Sequence, residues 1–235
     1  MRYIGIMYDN GRGVKRACSK AVEWYIKASD AGDVIAMRCI GIMYDNGRGV
    51  RQDYGEARKW YFRARDAGDA AAMRYIGIMF DKGRGVKQNC RTTRWWYLKA
   101  SNAGDANAMR CIGLVYFEGR GVRQDYGKAM EWFLRASAAG DATAMINIGI
   151  MYNDGQGVER NYTQAMEWYL KASDAGNSKA MFYIGDLYYV GQGVFRDQAR
   201  ALEWYIKARD AGHVGANARI NKLRKKMRRS HCSFQ

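Results

Sequence analysis

Residues 33–68 read DVIAMRCIGIMYDNGRGVRQDYGEARKWYFRARDAG, and this unit of 36 residues recurs along the chain. In its first half, Ala36 and Ile40 are one helical turn apart and share one face of a helix. In its second half, Ala57 and Tyr61 do the same. Helices this short are marginal alone and gain stability from packing. The unit therefore predicts two helices, A and then B, that stack on neighbouring pairs.

The period is clearest in the large and the small side chains. One tryptophan occurs every 36 residues, at Trp24, Trp60, Trp96, Trp132, Trp168 and Trp204. A Gly-x-Gly turn follows helix A in all six copies, and the chain contains 27 glycines and no proline. This composition is typical of helices that end at glycine. We predict an all-α solenoid, with six repeats over residues 1–212 and a closing helix with a basic tail over 213–235.

The helix boundaries have recognisable signals. We expect Asp33 to accept amide hydrogen bonds at the start of helix A, and Gly47 to end that helix in the left-handed conformation. Asp53 and Glu56 resemble a capping box for helix B. The first repeat begins at Met1 and is expected to lack the aspartate cap of its helix A. We expect two helix B starts to be weaker, at Ala17–Cys18 and at Cys90–Thr93.

These residues resemble the Sel1-like repeat family, a relative of the tetratricopeptide repeats. The family motif A-x-x-L-G-x-x-Y-x-x-G-x-G-V-x-x-D-x-x-x-A-x-x-W-Y-x-K-A is matched in order by Ala36, Ile40, Gly41, Tyr44, Gly47, Gly49, Val50, Asp53, Ala57, Trp60, Tyr61 and Ala64. The resemblance implies a right-handed α-solenoid of antiparallel helix pairs. It also implies a non-enzymatic adaptor that holds a protein or peptide partner in a concave groove. The tryptophans Trp60, Trp96 and Trp132 are expected to be structural.

Candidate catalytic and metal-binding groups are scarce. The chain contains two histidines, His213 and His231, and no Ser-x-x-Lys sequence. Metal sites and general-base catalysis need more such groups in one place. We therefore expect no enzyme activity, no catalytic residue, no metal ligand and no cofactor.

A column of arginines follows the first turn of helix A. By similarity to tetratricopeptide repeats this position faces the groove, where basic residues clamp a carboxylate or an acidic peptide. The candidates are Arg38, Arg74 and Arg110, while Arg2 lies on the truncated first helix. The alternative is that Asp9, Asp45 and Asp81, two turns along the same face, neutralise arginines of adjacent repeats. A second arginine column lies inside the Gly-x-Gly turns, where a solvated edge is the simpler interpretation: Arg12, Arg48, Arg84 and Arg120.

Both columns change character at the fifth repeat. Apolar and aromatic side chains accumulate there, at Ile146, Phe182, Tyr183 and Tyr189. The hypothesis is a bipartite groove, basic in repeats 1–4 and apolar-aromatic in repeats 5 and 6. Such a groove suits a partner with acidic and hydrophobic parts.

The net charge of +16 favours anionic partners, and residues 219–229 alone carry seven cations. A solvated closing helix is the simplest interpretation of this tail. Non-specific nucleic-acid binding is disfavoured because the segment has no aromatic side chains for base stacking. A membrane-recruited regulatory subunit is the other alternative, because Cys232-Ser-Phe-Gln235 loosely fits a prenylation box after a polybasic run.

The cysteines indicate the compartment. Their number is odd, five, and those in equivalent columns are two repeats apart, beyond the reach of about 7 Å that a disulfide allows. Reduced thiols favour a cytoplasmic location. The absence of a long apolar run and of a secretory start in the sequence agrees with it.

Overall fold

The computed structural model describes the backbone of residues 1–232 and the side chains of residues 1–227. Thirteen α-helices and no strands occur in this part of the chain. In chain order they are α1 (Arg2–Asn10), α2 (Cys18–Asp30), α3 (Val34–Asn46), α4 (Tyr54–Asp66), α5 (Ala70–Lys82), α6 (Cys90–Asn102), α7 (Ala106–Glu118), α8 (Tyr126–Ala138), α9 (Ala142–Asp154), α10 (Tyr162–Asp174), α11 (Ser178–Val190), α12 (Gln198–Asp210) and α13 (Ala216–Cys232).

The helices alternate between the two predicted types. The odd-numbered helices up to α11 are A helices, and the even-numbered ones are B helices. The chain divides into a first compact unit, Met1–Arg123, with α1 to α7, and a second, Gln124–Gln235, with α8 to α13. Inside each unit, consecutive helices pack on one another. The predicted all-α repeat solenoid is confirmed.

Aspartate caps begin the A helices as the sequence predicts. The carboxylate of Asp33 accepts the backbone N–H of Ala36 at 3.0 Å, and Gly47 ends α3 with a φ of 64°. Asp53 caps α4 by accepting the N–H groups of Gly55 and Glu56. The return half of the predicted capping box does not form, because Glu56 instead accepts a bond from Lys59.

The two helix B starts that we expect to be weaker differ in their caps. Ala17 makes no side-chain cap for α2, just as Met1 makes none for α1. At α6, Asn89 accepts the N–H of Thr92 at 3.0 Å, so this helix has a cap and its weaker start stays a prediction. The hydroxyl of Thr93 also donates to the carbonyl of Asn89 at 3.0 Å.

Inside each unit, the core of a hairpin is a buried ring of helix B against a glycine of helix A. Tyr61 of α4 is 0% exposed, and a Cβ added to Gly41 of α3 would lie 2.6 Å from its ring. Tyr97 meets Gly77 in the same way. The glycine column exists because the backbone of helix A must approach the ring closely. The other buried rings of this column are Tyr25, Phe133, Tyr169 and Tyr205.

The tryptophans preceding these rings occupy a different environment. Trp96 is buried, at 6% exposed, as expected. Trp60 and Trp132 are only half-buried, and each lies under a cation one turn later, at 4.8 Å from Arg63 and from Arg135. Trp60 also packs against the core cluster that contains Ala36 and Ile40, which agrees with its expected structural role. The structural role of Trp132 stays a prediction.

The Gly-x-Gly turns also fix the spacing of repeats. Gly85 has a φ of 63°, and a Cβ added to it would lie 2.5 Å from the Cβ of Tyr54 on the preceding helix B. Conformation and close approach therefore both require glycine at this position.

The closing helix α13 covers the last repeat. Ile220 and Leu223 are each 2% exposed and pack in one cluster with Ala201 and Tyr205 of α12. The helix in this region, α13, starts at Ala216 rather than at His213. The domain bounds 1–212 and 213–235 stay predictions.

Candidate functional site

The arginines of the A helices are held by aspartates that lie 31 residues later. In the first unit, Nη1 of Arg38 lies 2.8 and 2.6 Å from the two carboxylate oxygens of Asp69. The Nε of Arg74 lies 3.1 Å from each carboxylate oxygen of Asp105. Each aspartate begins the next A helix, so one carboxylate serves both a helix N-terminus and a guanidinium of the preceding repeat.

The arginines of the Gly-x-Gly turns are paired as well. Arg84 donates to Asp45 at 2.7 Å, and Arg120 donates to both carboxylate oxygens of Asp81 at 2.7 and 2.5 Å. Arg48 bonds to Asp9 in the same way. Each of these arginines lies 39 residues after its aspartate. The simple interpretation of a solvated edge is therefore wrong for these three turns.

The alternative of internal pairing is thus the arrangement found, with different partners from those expected. The carboxylates Asp9, Asp45 and Asp81 bind arginines of the turns, and the capping aspartates bind Arg38 and Arg74. The first unit therefore carries a double row of ion pairs instead of a row of free cations.

Burial and charge oppose each other at these arginines. Desolvation lowers the pKa of Arg74, but the attraction and hydrogen bonds of Asp105 outweigh it, and the pKa lies above its usual value. The same balance raises the pKa of Arg120 beside Asp81. The side chains of Arg38 and Arg74 remain 23% and 15% exposed. Each pair is close to neutral as seen by a partner, while its N–H edges remain partly accessible.

The remaining candidate of this column, Arg110, donates to the side chain of Asn107 on its own helix at 3.2 Å. The structure brings the three candidates to equivalent positions on α3, α5 and α7.

Ile146 of the second unit is buried, and its expected contact with a partner is wrong. Its side chain is 1% exposed and packs with Ala165, Tyr169 and Ile184. The apolar side chain of Ile146 points into the core, whereas the charged end of an arginine in the same column has to point outward.

Phe182 has internal partners too. Its ring stacks on His213 with a centroid distance of 4.4 Å, and it lies 5.3 Å from the ring of Tyr205. His213 is 31 residues after Phe182, the same separation as in the arginine pairs. An aromatic stack here replaces an ion pair.

Tyr183 and Tyr189 line a cleft of about 410 Å³ on α11, together with Asp186 and with Asp154 of α9. Arg219 of α13 lies at its margin, with Nη2 3.5 Å from Oδ1 of Asp186. We did not predict Asp186 from sequence, although a signal was present. It replaces the aliphatic residue that each preceding repeat carries at that position: Ile6, Ile42, Ile78, Leu114 and Ile150.

A continuous stripe of each A helix is left partly exposed. On α3 it consists of Ile35, Cys39, Ile42 and Asn46, which recur at helical spacing. We call this stripe and its equivalents the A-helix face. In the first unit its central row is aliphatic and half-buried: Ile6, Ile42, Ile78 and Leu114.

The thiols show no redox or metal arrangement within the described residues. Cys18, Cys39, Cys90 and Cys111 are free. Burial raises the pKa of Cys39 and of Cys111, which keeps both thiols protonated. Among the residues with described side chains, no group of three metal-ligating side chains occurs.

The C-terminal candidate stays a prediction. The side chain of Cys232 and residues 233–235 lie outside the described part of the chain. Two basic side chains of the tail contact the repeats. Arg219 lies against Asp186, and Lys226 lies 5.5 Å from the ring of Tyr189. No helix in the described residues combines the length and the apolar character needed to cross a bilayer.

Comparisons with known proteins agree with this geometry. A Sel1 repeat protein from Oxalobacter formigenes is 37% identical, over 89% of this chain and 86% of its own, with a TM-score of 0.77. A protective antigen with an SLR fold from uropathogenic Escherichia coli is 27% identical over 96% of this chain, which spans 56% of that protein, with a TM-score of 0.63. An immunity protein from Pseudomonas aeruginosa, 22% identical over 85% of this chain and 76% of its own, shares the fold with a TM-score of 0.67.

The family assignment rests on the repeats themselves. A comparison with curated proteins gave no match. The family model of the Sel1 repeat matches six consecutive segments, residues 1–33, 34–69, 70–105, 106–141, 142–177 and 178–213. Six matches in register with the twelve alternating A and B helices show that the chain belongs to the Sel1 repeat family.

Proposed function

We propose that this protein is a non-catalytic scaffold that binds a protein partner on the A-helix face. Sel1 repeat proteins generally act as protein-interaction scaffolds. The observation that carries the proposal for this chain is the half-buried aliphatic row of the first unit, from Ile6 to Leu114. It lies beside guanidinium groups that aspartates already neutralise. An apolar centre with satisfied polar groups around it is typical of a protein interface.

The paired arginines modify the kind of partner we propose. Arg38, Arg74 and Arg110 act as oriented N–H donors at the edge of this face, and apolar contacts supply most of the affinity. An acidic segment gains less here than from free guanidinium groups, because Asp69 and Asp105 each cancel one charge. The proposed partner is therefore a segment with exposed aliphatic or aromatic side chains and hydrogen-bond acceptors.

Paired surface variants test this function. Ile42→Lys with Ile78→Lys places two cations on the A-helix face, where the long side chains can extend into solvent. Ile26→Lys with Leu134→Lys adds the same charge at two exposed positions on B helices, 37% and 43% exposed. Affinity capture from native cells, quantified by mass spectrometry, should yield partners with wild type and with the B-helix variant only.

The two variants must first show similar unfolding temperatures. Equal capture by both would contradict the A-helix face as the binding surface. A cytoplasmic location agrees with the odd number of cysteines and stays a prediction.

A further inference from the structure

The cleft on α11 combines aromatic rings with carboxylates. Its lining includes Tyr169, Tyr183 and Tyr189, and its acidic groups are Asp154 and Asp186. The rings of Tyr169 and Tyr183 have a centroid distance of 5.2 Å. Rings beside carboxylates attract a cation through both the ring quadrupole and the opposite charge.

The environment of Asp186 leaves part of its carboxylate available. The hydroxyl of Tyr205 donates to Oδ1 at 2.7 Å, and the long contact with Arg219 reaches the same oxygen. Within the described residues, no hydrogen bond to Oδ2 occurs. The Asp186 side chain is 29% exposed, so its carboxylate is partly open to solvent in this cleft.

Negative charge in the cleft also affects its tyrosine floor. Burial raises the pKa of Tyr169, and the nearby Tyr183, Asp154 and Asp186 add to this effect. Cations of the chain itself also gather at this cleft, because Nζ of Lys179 lies 5.5 Å from the ring centroid of Tyr183 and Nζ of Lys226 lies 5.5 Å from that of Tyr189. A cation of a partner has to compete with these lysines for the two rings.

Arg219 indicates which cation fits. Its guanidinium approaches Asp186 at 3.5 Å, longer than the 2.7–2.9 Å typical of a charge-assisted N–H bond, and its side chain is 42% exposed. A guanidinium thus reaches this carboxylate without closing a tight bond. A planar guanidinium also stacks on tyrosine faces and bonds a carboxylate through two N–H groups, which an ammonium cannot do.

We propose that this cleft is a specificity pocket for an arginine side chain of the protein partner. The inference rests on the proposed scaffold function and names one feature of its partner. The arginine takes the place of Lys179 on the ring of Tyr183 or of Lys226 on the ring of Tyr189, and it donates to Asp186 or Asp154. Two residues of the sixth repeat form the pocket. Asp186 stands where the other repeats have an aliphatic residue, and Tyr189 stands where the first three repeats have an aspartate.

The test uses small probes, so that it does not depend on the unidentified partner. The full chain, labelled for NMR, is titrated with N-acetyl-arginine amide, N-acetyl-lysine amide and N-acetyl-citrulline amide. Citrulline keeps the shape of arginine and lacks its charge. We expect saturable shifts on α9 and α11 with the arginine probe, and dissociation constants at least about tenfold higher for the other two.

Variants locate the binding. Asp186→Asn, which keeps an oxygen acceptor for Tyr205, should raise the dissociation constant of the arginine probe about tenfold or more. Asp154→Asn, at an exposed position, should weaken binding as well and serves if the first variant does not fold. Asp174→Asn at the exposed end of α10 makes the same charge change and should leave binding unaltered.

The outcomes separate the two proposals. No saturable shift in wild type, equal binding of the citrulline or lysine probe, or unchanged affinity in Asp186→Asn would overturn the arginine pocket and leave the scaffold intact. Probe binding together with equal partner capture by both lysine variants would overturn the A-helix face and leave the pocket intact.

Discussion

The Nε of Arg74 lies 3.1 Å from both carboxylate oxygens of Asp105, and one of these oxygens also accepts the N–H of Ala108 at 2.7 Å. One carboxylate therefore begins helix α7 and holds helix α5. This contact ties the starts of two consecutive A helices together inside the first unit. An arginine column with the sequence position of a ligand clamp thus contributes to the stack itself.

Removal of this arginine should destabilise the protein. Arg74→Met keeps the apolar stem and leaves Asp105, whose side chain is 7% exposed, without its counter-charge. We expect a loss of about 2 kcal/mol in the free energy of unfolding, typical of a partly buried charged hydrogen bond. Urea denaturation measures it. Arg91→Met, at an exposed position of α6, is the control, with a change below about 0.5 kcal/mol.

Alanine at a helix A glycine should be costly. In Gly77→Ala the new Cβ would lie 2.6 Å from the ring of Tyr97, which is buried and cannot move aside. We expect a loss of about 1–3 kcal/mol, as for other overpacked cores. Gly127→Ala in α8, where the nearest atom lies 3.4 Å away, should be neutral or slightly stabilising. Equal thermal stability of the two variants would contradict the ring-on-glycine core.

Alanine substitutions at two glycines with positive φ distinguish the cost of the left-handed backbone from the cost of a steric clash. Gly104 has a φ of 88° and nothing within 4 Å of an added Cβ, so Gly104→Ala reports only the left-handed backbone, about 1–2 kcal/mol. Gly85→Ala adds the close approach to Tyr54. We expect it to cost at least about 1 kcal/mol more in denaturant titrations. A smaller cost at Gly85 would show that the turn does not fix the repeat spacing.

Adjacent rings on α8 should differ in their contribution to stability. Phe133 is 0% exposed, whereas Trp132 is half-buried beneath Arg135. Phe133→Ala should cost about 3–5 kcal/mol, and Trp132→Ala less than about 2 kcal/mol. Calorimetry of both variants decides the matter. A larger loss of stability for Trp132→Ala than for Phe133→Ala would show that the tryptophan contributes more to the core.

Stability should fall in alkaline solution. Burial raises the pKa of Tyr25, Tyr61, Tyr97, Tyr169 and Tyr205 above the ordinary 10.0. The folded state then keeps phenol protons that the unfolded state loses, so this contribution is fully present below pH 10 and is lost as the pH rises further.

Tyr61→Phe isolates this effect. The hydroxyl of Tyr61 is buried without a hydrogen-bond partner. The free energy of unfolding of the variant should therefore match or exceed that of wild type at pH 7, and it should fall less between pH 9 and 11. Tyr205→Phe loses the bond to Asp186 and should be weaker already at pH 7. Parallel pH profiles of wild type and Tyr61→Phe would contradict the assignment.

The fold was predictable because its signals are local. A cap such as Asp33 lies three residues from the amide that it binds, and the ring of Tyr61 falls one residue after a repeating tryptophan. The arginine pairs join residues 31 and 39 positions apart, and their choice of aspartate depends on how successive hairpins stack. The sequence therefore suggested internal pairing and assigned the wrong partners.

The candidate site was less predictable for the same reason. Whether an apolar side chain in the arginine column points inward depends on packing, and Ile146 turned into the core while Phe182 stacked on His213. The acidic cleft had a readable signal, because Asp186 breaks an aliphatic column. Its neighbours Arg219 and Tyr205 come from other helices, which only the folded chain brings together.

The spacing of the ion pairs bears on how the array can change in length. Arg38 and Asp69 lie inside one repeat, residues 34–69. Arg84 and Asp45 join two neighbouring repeats, and the first three repeats all have an aspartate at the position of Asp45 and an arginine at the position of Arg48. Gain or loss of a whole copy among the first three repeats would leave every charge matched. Insertion of the fifth repeat there, with Asn153 and Gln156 at these positions, would strand charges on both flanks. The charge pattern therefore permits copying within the first three repeats and opposes insertion of the fifth repeat among them.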